Sequence, residues 1–345
     1  MQTVSVTSGN SDGIRARLWR DGRIEAEDFP FEEISDHLQE EGALVWVDLC
    51  EPDHHLLLQL ADELALDPHA VEDAIASGER PKATRHATHT FVTAYATRLE
   101  AGGDPPLGAL QSRLQTSRVS AFVLPGGIVT VRSDTGFDMD EVVQRWEDDA
   151  DLLKLGSGAL LHGLLDVIVD GHFETVQLMD EAIESLEDGL FDEKAMTREI
   201  QQRTYRVRKE LVELRRVILP MREVVNAVQR HHTESNLRGS ELDGSYADLY
   251  DHVLRASEWT ESLRDMVTTV FETNLSLQEA RLNTVMKKLT GWAAIIAVPT
   301  AVTGWFGQNV AYPGFGSASG LIASTIVITV LAGTLYITFR RRGWL

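Results

Sequence analysis

A carboxylate recurs every seven residues at Asp251, Glu258, Asp265, Glu272 and Glu279, and the position three residues earlier holds Asp248, Arg255, Ser262, Thr269 and Ser276. Alternating spacings of three and four place both sets on one face of a supercoiled helix. The same spacing runs on without a register break through Asn283, Met286, Thr290, Ala293, Ala297, Thr300 and Gly304, where acids give way to mostly small and hydroxylated residues. Carboxylates attract cations, and small or hydroxyl-bearing positions leave room beside neutral oxygen. A stripe of this kind is what several parallel copies of one helix around a water-filled axis would need. The plainer alternative is a solvated outer face, since charge runs usually do nothing more. Polar positions inside an apolar segment weigh against it, because such positions are functional candidates by default.

A second acidic set, Asp170, Glu174, Asp180, Glu181, Glu184, Glu187, Asp188, Asp192 and Glu193, precedes a largely basic stretch over residues 197–231. These read as an antiparallel helical hairpin with acid near its tip, or equally as a hairpin with ordinary surface ion pairs. Patterns for catalysis are missing. No G-x-x-x-x-G-K-[ST] loop and no G-x-G-x-x-G after a strand occurs, so neither nucleotide-driven work nor an enzyme is expected. The histidines His54-His55, His86 with His89, and His231-His232 pair with no cysteine and no H-E-x-x-H pattern, and are expected at the surface.

The elements that must carry the stripe follow from its surroundings. Between Gly244 and Gly291 there is no Pro and no Gly, so a single helix is predicted over residues 245–306, about 90 Å long at 1.5 Å per residue. Residues 289–306 carry no charge and are interrupted only by Gly291, Pro299 and Gly304, which membrane helices tolerate. Residues 321–339 form a second apolar segment, and each is near the roughly 20 residues that span a bilayer. Lys287-Lys288 precede the first span and Arg340, Arg341 and Arg342 follow the second, while the loop 307–320 has no positive charge. By the positive-inside rule both termini are cytosolic and the loop lies outside, in an inner or plasma membrane.

Upstream the pattern is α/β. Residues 14–19 and 23–26 flank Asp21-Gly22, a type I′ hairpin signal. Helices are predicted over 31–41, 54–64 and 68–76, and strands over 44–49, 90–99, 111–124 and 128–132, with a loop at 101–106. From Met139 onward the pattern is helical, with one helix over 160–191 and another over 197–231, broken or kinked at Pro220. The expected organisation is α+β. A cytosolic α/β domain occupies residues 1–155, a helical hairpin region 156–244, a stalk helix 245–288 and a transmembrane domain 289–345.

The formal charge of −21 argues against nucleic acid, whose phosphates demand a basic face, and for attraction of cations. The single cysteine, Cys50, excludes a disulfide framework and suits a cytosolic soluble part. Residues 1–10 lack the basic and apolar regions of a secretory signal.

Several motifs stand in a specific order: Val71-Glu72-Asp73, Glu79-Arg80-Pro81-Lys82, the run from Leu214 to Glu223, Tyr250-Asp251-His252, the run from Asn283 to Thr290, Gly307-Gln308-Asn309, and the ending Arg-Arg-Arg-Gly-Trp-Leu. In this the chain resembles the CorA family of divalent-cation transport proteins over nearly its whole length. The resemblance implies a homopentamer with a cytosolic funnel, a five-helix stalk leading into pore-lining first spans, and an outer ring of second spans in the lipid bilayer. It implies a selectivity mouth at Gly307, Gln308 and Asn309, where carbonyl oxygens receive a hydrated cation. It also implies a narrow stretch at Met286 and Leu289 with Asn283 just below, and an upper pore at Ala297, Thr300 and Gly304. A regulatory Mg2+ site maps onto Glu72 and Asp73 with Asp248 of a neighbour. The alternative for Asp248 is an acid stabilising the start of its helix. The function implied is Mg2+ influx gated by cytosolic Mg2+, with Co2+ or Ni2+ as further cargo and no nucleotide. The chain departs from the commoner Tyr-Gly-Met-Asn mouth with Phe306-Gly307-Gln308-Asn309, and its outer loop lacks the usual acid. A zinc-transporting branch resembling ZntB shares a neutral loop, so a Zn2+ transporter and a non-conducting cation sensor stand as alternatives.

Overall fold

The computed structural model describes residues 13–76, 78–100, 113–191, 197–235 and 241–345. Residues 1–10, the loop at 101–106, the strand start at Gln111 and the acids Asp192 and Glu193 fall outside the described residues, as does the side chain of His232. The chain divides into two compact units, Met1–Thr269 and Val270–Leu345.

The first unit opens with β1 (Ile14–Arg20) and β2 (Arg23–Glu27). Asp21 and Gly22 join them with φ of 51° and 75°, the two positive values that a type I′ turn requires. A 3-10 turn (Phe31–Glu33) leads into α1 (Ile34–Gln39), so the helix expected over 31–41 is a short tandem instead of one element. Then come β3 (Ala43–Cys50), α2 (His54–Glu63), α3 (Pro68–Ile75), β4 (Lys82–Arg85), β5 (Thr90–Leu99), β6 (Leu114–Leu124) and β7 (Gly127–Arg132). Helices follow: α4 (Met139–Asp148), α5 (Ala150–Leu153), α6 (Ser157–Leu190), α7 (Thr197–Ile218), α8 (Met221–Ser235), α9 (Glu241–Phe306) and α10 (Ala318–Arg341). The break between α7 and α8 falls at Leu219-Pro220, as the missing proline N–H dictates.

The seven strands form one sheet in the order β2-β1-β3-β7-β6-β5-β4, antiparallel throughout except for the β3–β7 pair. Strand β4 has no sequence expectation behind it. Its Lys-Ala-Thr-Arg lacks apolar alternation, and it is tolerated because it lies at the sheet edge. Alternation along β3 divides the core in two: Leu44 and Trp46 face one side, Val45, Val47 and Leu49 the other. On the second face lie α1, α2 and α3, through Ile34, Leu57, Leu60 and Val71. On the first lie α4, α6, α8 and the start of α9, through Trp146, Leu164, Val225 and Tyr246.

Helix α9 runs 66 residues and begins four residues before the predicted start, with Gly244 in its second turn. Packing overrides the glycine: Leu242 and Tyr246 are fully buried, and the Tyr246 hydroxyl donates to the Gly158 carbonyl at 2.8 Å. Within the first unit α9 buries Leu242, Tyr246, Leu249, Val253, Ala256, Thr260, Leu263 and Val267, a second heptad seam.

The second unit holds the rest of α9 and α10. Both helices are long and apolar enough to cross a membrane, with mean hydropathy of 1.4 and 2.0 over their most apolar windows. After α10 the chain turns back at Gly343 (φ 68°), Trp344 stacks on Phe339 at 5.3 Å, and Leu345 reaches over Gly291 of α9.

Candidate functional site

All ten stripe positions from Asp248 to Glu279 are exposed, on the side of α9 roughly opposite its buried seam. Asp251 pairs with Arg255 at 3.1 Å and Asp265 with Arg264 at 2.8 Å, each within its own helix. Among the described residues Glu258, Glu272 and Glu279 form no ion pair, so their charge is open to solvent cations. Asn283, Met286, Leu289 and Thr290 are exposed too; Met286 and Leu289 present bare apolar side chains at 58% and 63% exposure.

Higher on α9, a shallow groove is lined by Ala293, Ile296, Ala297, Thr300 and Ala301. Three of these are predicted stripe positions. The Thr300 hydroxyl donates to the Ile296 carbonyl at 3.2 Å, which uses its proton within the helix and leaves the oxygen an acceptor. Nothing lies within 4 Å of where a Gly304 side chain would begin, so the stripe stays open to its end.

The helix stops at Phe306. Gly307 closes the last turn by donating to the Thr303 carbonyl at 2.8 Å. A Cβ at Gly307 would lie 2.9 Å from that same carbonyl oxygen, closer than side chains approach, so the turn demands glycine. Gly307, Gln308 and Asn309 are all exposed, with only neutral carbonyl and amide groups between them. Beyond them Tyr312 donates its hydroxyl to the Phe306 carbonyl at 2.8 Å and packs edge-to-face on both Phe306 and Phe315.

The candidate regulatory acids sit on α3 and α9. Asp67 caps α3 by accepting from His69 and Ala70 backbone N–H groups, with Pro68 at the first helical position. At the other end Arg118 of β6 donates to the Ala74 and Ala76 carbonyls, fixing the helix on the sheet. Glu72 is exposed, and Asp73 binds the Lys82 ammonium of β4 at 2.7 Å, which also binds Glu79 at 2.8 Å. Burial opposes the Lys82 charge, but the two carboxylates outweigh it and hold its pKa above the ordinary value. Asp248 is exposed, with His252 3.8 Å away. The first-turn acids of α9 are Glu241 and Asp243, which leaves Asp248 about two turns in, where the helix dipole has faded. Among the described residues no group of three or more His, Cys, Asp or Glu is placed to hold a metal within the chain.

Of the other groups, Asp166 and Asp170 of α6 both pair with Arg145 of α4. Burial pushes the Asp166 carboxyl up and the neighbouring Asp170 adds to it, against the pull of Arg145. The expectation of surface histidines holds for His54 and His55 and fails for His89, which is buried, stacked on His86 at 4.8 Å and packed near Phe122.

A family model described as CorA-like Mg2+ transporter protein matches residues 41–341. The chain belongs to that family. It is a family of transporters and channels, not of enzymes. Among relatives of this CorA-like chain, the cobalt/magnesium transport protein CorA of Thermotoga maritima is 26% identical over 293 residues, covering 83% of this chain and 79% of the relative. The zinc transport protein ZntB of Pectobacterium carotovorum is 24% identical over 293 residues, covering 82% and 83%. The complete structure of the CorA magnesium transporter from Methanocaldococcus jannaschii matches over 100% of both chains with a TM-score of 0.72 at 20% identity, which establishes the fold.

Two residues of this site were not singled out from sequence. Lys82 stands inside a quoted motif, nine residues from the acid it pairs with, and β4 brings them together. Tyr312 is the one tyrosine in a charge-free loop six residues past the end of α9, which is a signal of sorts.

Proposed function

We propose that this CorA-like chain moves a divalent cation, Mg2+ in the first place and Co2+ or Ni2+ after it, through a pore lined by α9 from several copies. The observation that carries the reading is one uninterrupted exposed stripe on α9: acidic from Asp248 to Glu279, apolar at Met286 and Leu289, small and hydroxylated from Thr290 to Gly304, and ending at the neutral amides of Gly307 to Asn309. Each part has a use. The carboxylates concentrate cations, the apolar stretch closes a narrow pore by excluding water, and neutral oxygens bind an outer water shell without stripping an ion that dehydrates reluctantly. A divalent ion entering at −100 mV gains about 4.6 kcal/mol, so no nucleotide is required. Five copies, cytosolic termini and Arg340 to Arg342 at the inner membrane face complete the proposal.

Regulation is assigned to Glu72 and Asp73 of one copy facing Asp248 of the next. Empty, they repel; cytosolic Mg2+ would bridge them and hold the closed arrangement, provided that state binds the ion more tightly. A second reading, Zn2+ transport coupled to protons, is favoured by the charge-free loop over residues 307–320. Uptake into proteoliposomes with Mg2+, Co2+, Ni2+ and Zn2+ in turn, with and without a pH gradient, tests both. Mg2+ flux indifferent to the gradient supports the first reading and gradient-dependent Zn2+ flux the second; no flux of any ion leaves a sensor that does not conduct.

A further inference from the structure

We propose that Tyr312 is a positioning residue for the cation mouth, holding the turn over residues 307–309 through the carbonyl that precedes it. The inference rests on reading that turn as the mouth. The Phe306 carbonyl is one of the last four of α9, which no helical N–H can reach. Left alone it would turn toward water or toward a passing cation, and the last turn would fray. Tyr312 supplies the missing donor at 2.8 Å.

The tyrosine is itself held. Its ring lies edge-to-face with Phe306 at 5.3 Å and with Phe315 at 5.4 Å, both at 84°. That places the positive edge of one ring on the negative face of the next. Phe315 donates its backbone N–H to the Tyr312 carbonyl at 3.0 Å, which ties the two together. The far end of the loop is fixed by contact of backbone on backbone: a Cβ at Gly320 would lie 2.4 Å from the Gly314 oxygen, so the start of α10 closes directly on the loop. Ser317 reinforces this by donating its hydroxyl to Gly314 at 2.8 Å.

The result is a braced loop with no charge in it. A mouth that offers only amide dipoles binds a hydrated ion weakly at each contact, so its affinity depends on all contacts being in place before the ion arrives. The brace does this work where an acid in the loop would otherwise raise affinity by charge. Tyr312 touches no ion; it acts through Phe306, Gly307 and the chain to Asn309.

The test is the dependence of Mg2+ uptake on external concentration in proteoliposomes. Tyr312→Phe keeps the ring and removes the donor, and is expected to raise the half-saturating concentration about three- to ten-fold, the worth of one hydrogen bond, with the maximal rate within about two-fold of the parent. Phe315→Leu keeps the hydroxyl and loses one ring contact, and is expected to raise it about two-fold, which covers the case in which Tyr312→Phe does not assemble. Parental half-saturation in both assembled variants, with Asn309→Ala losing uptake, overturns the positioning role and leaves the mouth where it is. Parental uptake by Asn309→Ala overturns the mouth and the brace together.

Discussion

Replacing Lys82 with methionine removes a positive charge that competes with a cation for Asp73 while keeping most of the aliphatic length of the side chain. The ammonium lies 2.7 Å from Asp73 and 2.8 Å from Glu79, with the lysine side chain 27% exposed. A Mg2+ on the same carboxylate, about 2.1 Å from its oxygen, would stand up to about 5 Å from that nitrogen. At that range a unit charge repels a divalent ion by about 1.7 kcal/mol in water, and salt at physiological strength reduces this to about 0.9 kcal/mol. Lys82→Met should therefore lower the internal Mg2+ concentration that half-inhibits uptake about four- to five-fold, and Lys82→Arg should leave it near the parental value. The assay is uptake into proteoliposomes loaded with a series of internal Mg2+ concentrations, on protein shown to assemble as the parent does. Half-inhibition that is unchanged or moves upward in Lys82→Met would refute the placement of a regulatory ion at Asp73.

Three further outcomes follow from the same structure. Asp248→Asn should weaken inhibition by internal Mg2+ and remove Mg2+ protection of α9 from protease; it should leave thermal stability within about 0.5 kcal/mol, since Asp248 is exposed and lies beyond the reach of the helix dipole. Leu289→Asn should leak cations at high internal Mg2+, because a wetted constriction no longer excludes water; a variant that stays shut moves the gate elsewhere on α9. Burial holds the imidazole of His172 neutral, its pKa pushed down to about 4 although it donates to the Tyr95 carbonyl at 2.7 Å. The unfolded chain takes up that proton below about pH 6.5, so stability is full above that pH and falls by about 3 kcal/mol as pH drops toward 4. Urea melts followed by the buried Trp19, Trp46 and Trp146 should show this slope, and His172→Gln should flatten it.

What could be read from sequence was whatever the chain writes in one dimension. The absence of Pro and Gly between 244 and 291 gave α9, Asp21-Gly22 gave the hairpin with both φ values positive, and Pro220 gave the break between α7 and α8. The exposed stripe was legible because a heptad of acids has no other pattern to hide in. Its buried counterpart from Leu242 to Val267 is harder to read, since alanine, threonine and tyrosine among the leucines and valines blur an apolar seam. Contacts between elements were out of reach for a different reason. The Lys82–Asp73 pair needs an edge strand with no apolar rhythm, His89 is buried only because it stacks on His86 beside Phe122, and Tyr312 meets Phe306 only once the loop has turned. The helix-start account of Asp248 weakened because α9 begins at Glu241, a boundary set by Leu242 and Tyr246 packing past a glycine.

The two faces of α9 keep the same interval of three and a half residues, and that shared rhythm has a mechanical meaning. A straight α-helix slips about 20° per heptad against such a repeat, so a seam that stays in strict register from Leu242 to Val267 would call for a gentle left-handed winding of the helix. Winding belongs to the backbone and cannot be confined to one side. The row of carboxylates therefore takes its pitch from residues at its back that never meet an ion. A substitution such as Leu249→Ala would tilt the path of the charges without altering one of them, and the hidden side of the rod acts as the template for the side a cation would see.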